Sequence, residues 1–160
     1  MTPTYCIADY ANPEHTSALV ELLDGYANDP MGGGEPLKPQ VKASLVAALA
    51  QVPGAFTVLC QIEQEYVALA NCFMGFSTFA CKPLVNIHDL AVNASARGKG
   101  ISQGLLAFVD TEAQKRDCCK VTLEVLEGNS IARAAYKKFG FTPYSLDAKT
   151  GDALLMQKKL

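Results

Sequence analysis

No stretch of this sequence approaches the ~20 consecutive apolar residues that a membrane-spanning helix needs. Its first residues, Met1-Thr2-Pro3-Thr4, hold no basic stretch leading into an apolar core. No secretory signal is therefore expected, and a cytoplasmic location is. Positive charge is not in excess, since 14 Lys and Arg stand against 16 Asp and Glu for a formal net charge of −2. Without an overall basic field, neither nucleic acid nor a membrane surface is an expected partner, and any basic site must be local. Histidine is scarce, with only His15 and His88. None of the six cysteines (Cys6, Cys60, Cys72, Cys81, Cys118, Cys119) belongs to a C-x-x-C pair. A zinc site would need scattered ligands, and no metal is expected. Three of the cysteines lie in apolar, strand-like runs, where a free thiol packs as a small hydrophobe. The adjacent Cys118 and Cys119 have no spacing that demands a redox role.

What is present suits one domain spanning residues 1–160: 49% of the residues are hydrophobic and 19% charged, and the length supports one core. A strand is expected over Thr4 to Asp9. Asn12-Pro13-Glu14 reads as a helix start, with a capping Asn, Pro at the first helical position and an acid in the first turn. Leu19, Leu22, Leu23 and Tyr26 then share one helical face. The loop from Asn28 to Pro36 breaks that helix, and a second runs from Lys38 to Ala50. Strands follow at Ala55 to Ile62 and Tyr66 to Phe76, joined by the polar turn Glu63-Gln64-Glu65, and again at Leu84 to Val92. A helix from Gly100 to Arg116, a strand from Lys120 to Leu126, a helix from Asn129 to Phe139 and two short strands complete the chain.

The most informative stretch is Val92 to Val109, where Arg97-Gly98-Lys99-Gly100 stands at the mouth of an amphipathic helix. The first N–H groups of a helix have no internal partner and lie at the positive end of its dipole. Glycine removes the Cβ atoms that would hold a bulky anion off the backbone, and the two cations add charge. Such a mouth suits a phosphate or pyrophosphate. It is not a phosphate-binding P-loop, because Gly100 follows Lys99 where Ser or Thr is required and Asn93 stands where the first Gly would be. A dinucleotide fold is a nearer rival, since Gly98, Gly100 and Gly104 precede Glu124 by about the ribose-binding spacing. Against it, five residues separate the strand from Gly98, and only 34 residues follow Leu126. The remaining alternative is a glycine turn with solvated charges.

His88-Asp89-Leu90-Ala91-Val92, then Arg97-Gly98-Lys99-Gly100-Ile101-Ser102, then Leu105-Leu106, resembles the central motif of the GNAT superfamily of acyl-CoA-dependent N-acyltransferases. Arg97 and Gly100 match its signature, whereas Ser102 stands where Gly or Ala is usual. Asn129 to Phe141 is similar to the family's closing helix. The two blocks agree in order and spacing, within the layout of the diamine and thialysine acetyltransferases. The resemblance implies an α/β fold: a largely antiparallel sheet flanked by helices and splayed between its fourth and fifth strands.

It also implies chemistry. Backbone groups of Leu90, Ala91 and Val92 would meet the pantetheine arm and acyl carbonyl of acetyl-CoA. Those of Gly98, Lys99, Gly100, Ile101 and Ser102, beside Arg97, would hold its pyrophosphate, and Asn129 would contact the cofactor while also capping its helix. A small-molecule amine would attack the thioester directly. Tyr136 would protonate the departing thiolate. His88 is the candidate base, since the reference pKa of histidine, ~6.5, suits proton acceptance near neutrality. Asp89, Glu124 or a water chain stand in reserve. Adjacent strand residues face opposite ways, so one of His88 and Asp89 is expected to face the cleft. Asp24, Asp29 and Glu35, in and beside the first helix–helix loop, offer charge to a cationic acceptor. Apolar segments near Phe141 to Tyr144 and Ala153 to Met156, with the family's habits, suggest a homodimer. A non-catalytic acyl-CoA sensor and a nicotinamide-binding oxidoreductase are the rival functions; retention of Tyr136 disfavours the first and the missing strands the second.

Overall fold

β-Branched and aromatic residues on either side of Glu63-Gln64 form a hairpin. The computed structural model, which describes residues 2–160, pairs β2 (Ala55–Ile62) with β3 (Glu65–Ser77) antiparallel, Val58 opposite Ala70. Glu63 and Gln64 have φ of 49° and 70°, the left-handed pair that a two-residue turn needs to match strand twist. β1 (Thr4–Ile7) joins the far side of β2. β4 (Lys82–Val92) pairs antiparallel with β3, and β5 (Val121–Leu123) lies parallel to β4. The order is β1-β2-β3-β4-β5. This is the expected mixed α/β fold, largely antiparallel with one parallel pair.

The chain divides into two compact units, one reaching to Leu123 and the other Glu124–Leu160. In the first, strand alternation makes two buried faces. Leu59, Leu69 and Ala91 meet Leu22 of α1 (Pro13–Asn28), while Leu19 of α1 packs with Val46 and Leu49 of α2 (Pro39–Leu49). Val58, Cys60, Ala70, Cys72, Val85 and Ile87, all buried, belong to the opposite face. There lies α3 (Ile101–Lys115), whose following residue Arg116 stacks over Phe56 at 4.3 Å. Burying each such Leu or Ile is worth roughly 1.5–3 kcal/mol. The six thiols are unpaired, and burial pushes that of Cys72 up to about 12, as expected of structural cysteines.

The second unit holds α4 (Ser130–Phe139), closed by Gly140 at φ 114°. Tyr136 and Phe139 set their rings against Phe141 at 6.0 and 6.1 Å. None of this unit's residues is fully buried. The two short strands expected beyond Gly140 reduce to one antiparallel bridge, Ser145 with Asp152. Asp147 draws the amides of Lys149 and Thr150 onto its own carboxylate, and such a local turn competes with a ladder.

Candidate active site

Beyond Ile87, the pairing of β4 with β5 stops. His88 to Val92 continue along β3 on one side only, so the edge facing the fifth strand opens there. This is the splay that the sequence implied. It leaves backbone groups of β4 beside a gap, with Leu90 and Val92 half-buried and Ala91 buried.

The chain then makes a short 3-10 turn at Ala94–Ala96 and reaches the glycine mouth. Gly98 and Gly100 have φ of 77° and 79°, a conformation that glycine adopts without strain. A Cβ at either would meet nothing within 4 Å, so the space before the loop is open. No side chain caps α3 at Gly100. Ile101 anchors the first turn in the core, and Ser102 is half-buried beside it. The Tyr5 hydroxyl donates to the Ile101 carbonyl at 3.4 Å. Gly104 makes that approach feasible, because a Cβ there would strike the Tyr5 hydroxyl. The third glycine of the dinucleotide pattern thus serves strand–helix packing. The antiparallel β3–β4 pairing is likewise foreign to a parallel dinucleotide-binding sheet. An uncapped helix mouth, two open glycines and adjacent cations fit a pyrophosphate.

The cations do different work. Arg97 donates from Nε to the Val92 carbonyl at 3.0 Å and pairs with Asp29 at 2.9 Å, tying the end of β4 to the end of α1. Lys99 donates to the Ser95 carbonyl at 3.0 Å. Tyr26, Asp29, Ala91, Asn93 and Arg97 help to line a cavity of about 360 Å³ at this end of β4. A larger one, about 760 Å³, lies between α1 and the β2–β3 turn and contains none of the motif residues except the flanking Asn93.

His88 and Asp89 depart from the expected alternation. The register between β3 and β4 shifts at Asn71/Cys72: Asn71 pairs with Asp89 and Cys72 with Ile87. His88 is the extra residue of a β-bulge. Its exposed ring meets Phe73 edge-on at 5.6 Å, while Asp89 accepts from Asn71 at 3.0 Å. Phe73 and Asn71 share a face of β3, so both members of the pair reach the same side of the sheet. The one-of-two expectation fails because a bulge resets the alternation.

Two of the three loop acids, Asp24 and Asp29, are already engaged. Asp24 pairs with Lys42 and accepts from the Leu37 amide; these bonds, Lys42 first, hold its carboxyl below the usual range. Asp29 is lowered by the Met31 amide and then by Arg97. Burial, then the charges of Asp89 and Asp29, pushes the Tyr26 phenol up.

In the second unit, the Asn129 side chain accepts from the Ala132 amide at 3.1 Å and so caps α4. Tyr136 is half-buried one turn further along, and Glu124 is exposed. The residues that sequence reasoning missed are Thr57 and Asn71, the polar side chains buried beneath Asp89. Their signal was a lone Thr and a lone Asn inside otherwise apolar strands.

The model of the acetyltransferase (GNAT) family matches residues 19–141. No curated protein matches the chain significantly. Among solved structures, AAC(6')-Iy in complex with the bisubstrate analogue CoA-S-monomethyl-acetylneamine is similar at 13% identity and TM-score 0.77, covering 100% of both chains. Ribosomal-protein-alanine N-acetyltransferase from Brucella melitensis biovar Abortus 2308 is similar at 15% identity and TM-score 0.69, over 91% of this chain and 99% of that one. A transcriptional regulator from Bacillus halodurans C-125 reaches TM-score 0.78 at 18% identity, over 98% and 100%. At these identities the likenesses speak to fold, whereas the family match spans most of the sequence and both of its motif blocks. The chain belongs to the acetyltransferase (GNAT) family and is an acetyl-CoA-dependent N-acetyltransferase.

Proposed function

We propose that the chain acetylates a primary amine of a small molecule by direct attack in a ternary complex, as one transferase domain spanning residues 1–160. The observation that carries this reading is the open β4 edge leading, within one short turn, to the uncapped glycine mouth of α3. One feature would hold an acyl-pantetheine arm and the other its pyrophosphate.

In this reading the backbone of Leu90, Ala91 and Val92 binds the arm and polarises the acyl carbonyl with fixed N–H dipoles. Gly98, Lys99, Gly100, Ile101 and Ser102 present amides to the pyrophosphate. Arg97 keeps the loop in place through Val92 and Asp29, and Asn129 contacts the cofactor from α4. The amine nitrogen attacks the carbonyl carbon, and the π pair moves to oxygen. The adduct then expels sulfur, which takes a proton from Tyr136. The nitrogen gives its proton to the β4 bulge, where His88 and Asp89 stand together. The acceptor is a small cationic amine of the diamine type. With Asp24 and Asp29 committed to Lys42 and Arg97, the bulge supplies the acidic group for its ammonium.

The test is release of free CoA thiol from acetyl-CoA with spermidine, thialysine and simple amino acids, beside a thermal-shift panel. Acetyl-CoA and CoA are expected to raise the melting temperature, by ~2.7 kcal/mol of stability at 100 times Kd, and NAD and NADP to leave it unchanged. Binding without transfer to any of these amines would overturn the small-amine acceptor. The protein is further proposed to be cytoplasmic and a homodimer. Among the described residues no helix is long and apolar enough to cross a membrane. Tyr144, Leu154, Leu155 and Met156 are exposed and apolar. A single ~17 kDa species in sedimentation at micromolar concentration would contradict the dimer.

A further inference from the structure

Thr57 and Asn71 are the buried polar side chains of the described residues, at 0% and 3% exposure. They lie in one row across three strands, Thr57 opposite Asn71 and Asn71 opposite Asp89. Hydrogen bonds follow the row. The Tyr10 hydroxyl is 3.0 Å from Thr57 Oγ1, Thr57 donates to Asn71 Oδ1 at 2.7 Å, and Asn71 Nδ2 donates to Asp89 Oδ2 at 3.0 Å. The proton inventory gives the row a direction. A threonine hydroxyl has one proton, which goes to Asn71, so Tyr10 must be the donor in its own contact. An Asn71 amide that accepts from Thr57 turns its NH₂ group to Asp89. Flipping it would set Oδ1 against a carboxylate oxygen, acceptor facing acceptor. Each link therefore donates toward Asp89, and such chains polarise one another.

Stability alone does not call for this row. An apolar pair of the same shape would fill these positions without desolvating polar groups, and such exchanges are close to neutral. The bulge at His88 also brings Asp89, and not its neighbour, opposite Asn71.

We propose that Asn71 and Thr57 are positioning residues that aim the Asp89 carboxylate at the ammonium of the acceptor, and that Asp89 takes the nitrogen proton during acyl transfer. This rests on the transferase reading above and specifies its acceptor end. The ammonium first loses one proton to solvent through Asp89 and His88; the lone pair so freed forms the C–N bond, and the N–H proton of the adduct then passes to Asp89. The C–S bond then breaks, and sulfur leaves with the proton of Tyr136. Exposed His88 beside Asp89 passes the collected proton to solvent.

The charged and titratable groups about the row are Tyr10 at its start, Tyr26 and the Asp29–Arg97 pair from the α1 side, Cys72 on β3 and His88 on β4. Thr57→Val leaves them all in place, keeps the side-chain shape and cuts the row in the middle. Thr57→Ser restores the hydroxyl. In ¹³C NMR of the whole protein, with the Asp89 signal assigned through Asp89→Asn, the Val variant is expected to raise the carboxyl midpoint by about half a unit or more, because the carboxylate loses a polarised donor. The Ser variant returns it to the parental value. With acetyl-CoA and spermidine, the Val variant should raise KM for the amine about 5-fold and move the acid limb of kcat/KM with the NMR midpoint, leaving KM for acetyl-CoA unchanged. A purely structural row would lower the melting temperature and leave both midpoint and limb where they were, overturning the proposal. Equal rises in KM for both substrates would overturn it too. A parent that acetylates no amine would remove the transferase reading and Asp89's role toward an amine; the NMR midpoints, which need no acceptor, would then decide the donor row by itself.

Discussion

The mouths of α3 and α4 are opposite solutions to the same problem. Each helix begins with amides that lack an internal partner. At α4 the Asn129 side chain turns back to accept from Ala132. At α3 the position before the helix is Gly100, in the left-handed region, and no side chain caps it. A chain that spends an asparagine on one mouth, and on α1 as well through Asn12, has the means to close the other. Left open behind two glycines, with Arg97 and Lys99 beside it, the mouth leaves those amides available to the pyrophosphate of the proposed mechanism. The first turn of α3 is secured from behind instead, by the Tyr5 hydroxyl on the Ile101 carbonyl.

In the proposed mechanism α4, whose mouth is closed by Asn129, acts through its body, at Tyr136. Tyr136→Phe keeps the ring that packs on Phe141 and removes one proton. Turnover in a thiol-release assay is expected to fall by roughly 10²-fold or more, with melting temperature and acetyl-CoA affinity nearly unchanged. Near-parental turnover would take Tyr136 out of the mechanism.

A smaller effect separates the two mouths directly. Asn129→Ala removes a working cap and should lower stability by ~1 kcal/mol in urea denaturation. Gly100→Asp should change stability little, because negative charge at an uncapped positive helix end, worth roughly 0.3–1 kcal/mol, offsets the strain of a side chain at φ 79°. A loss at Gly100 larger than that at Asn129 would mean that both mouths are closed for stability.

The smallest effect concerns the fastening behind α3. Burial, with Cys60 adding to it, pushes the Tyr5 phenol up to about 12. A group whose folded pKa is raised contributes fully below its unfolded value, ~10 for a tyrosine, and loses that contribution as pH rises through the folded value. Stability should therefore show a decline between about pH 10 and 12 that is smaller in Tyr5→Phe, the remainder belonging to the other raised phenols and thiols such as Tyr26 and Cys72. The ring is only partly buried, so solvent screening keeps the amplitude small.

Most elements and both mouths were legible because their signals are local. Asn12-Pro13, Pro53-Gly54 and Asn129 announce helix limits by their own chemistry, and the strand expected at Ala55 to Ile62 has those limits. β5 is shorter than the expected Lys120 to Leu126, because it pairs only with Val85 to Ile87. The bulge at His88 was illegible for the same reason: a register shift is a property of two strands distant in sequence. So was the alignment of Thr57, Asn71 and Asp89, which lie on three different strands. The loop acids misled in the other direction, since their partners Lys42 and Arg97 lie 18 and 68 residues away.

The most direct measurement is a calorimetric titration of the parent and Gly100→Asp with two ligands, acetyl-CoA and S-acetylpantetheine, the second lacking the pyrophosphate. The Asp variant should melt near the parental temperature, bind acetyl-CoA about 100-fold more weakly, roughly 2.7 kcal/mol, and bind S-acetylpantetheine as the parent does. Undiminished acetyl-CoA binding by a folded Asp variant, or equal weakening of both ligands, would contradict the assignment of the α3 mouth to the pyrophosphate.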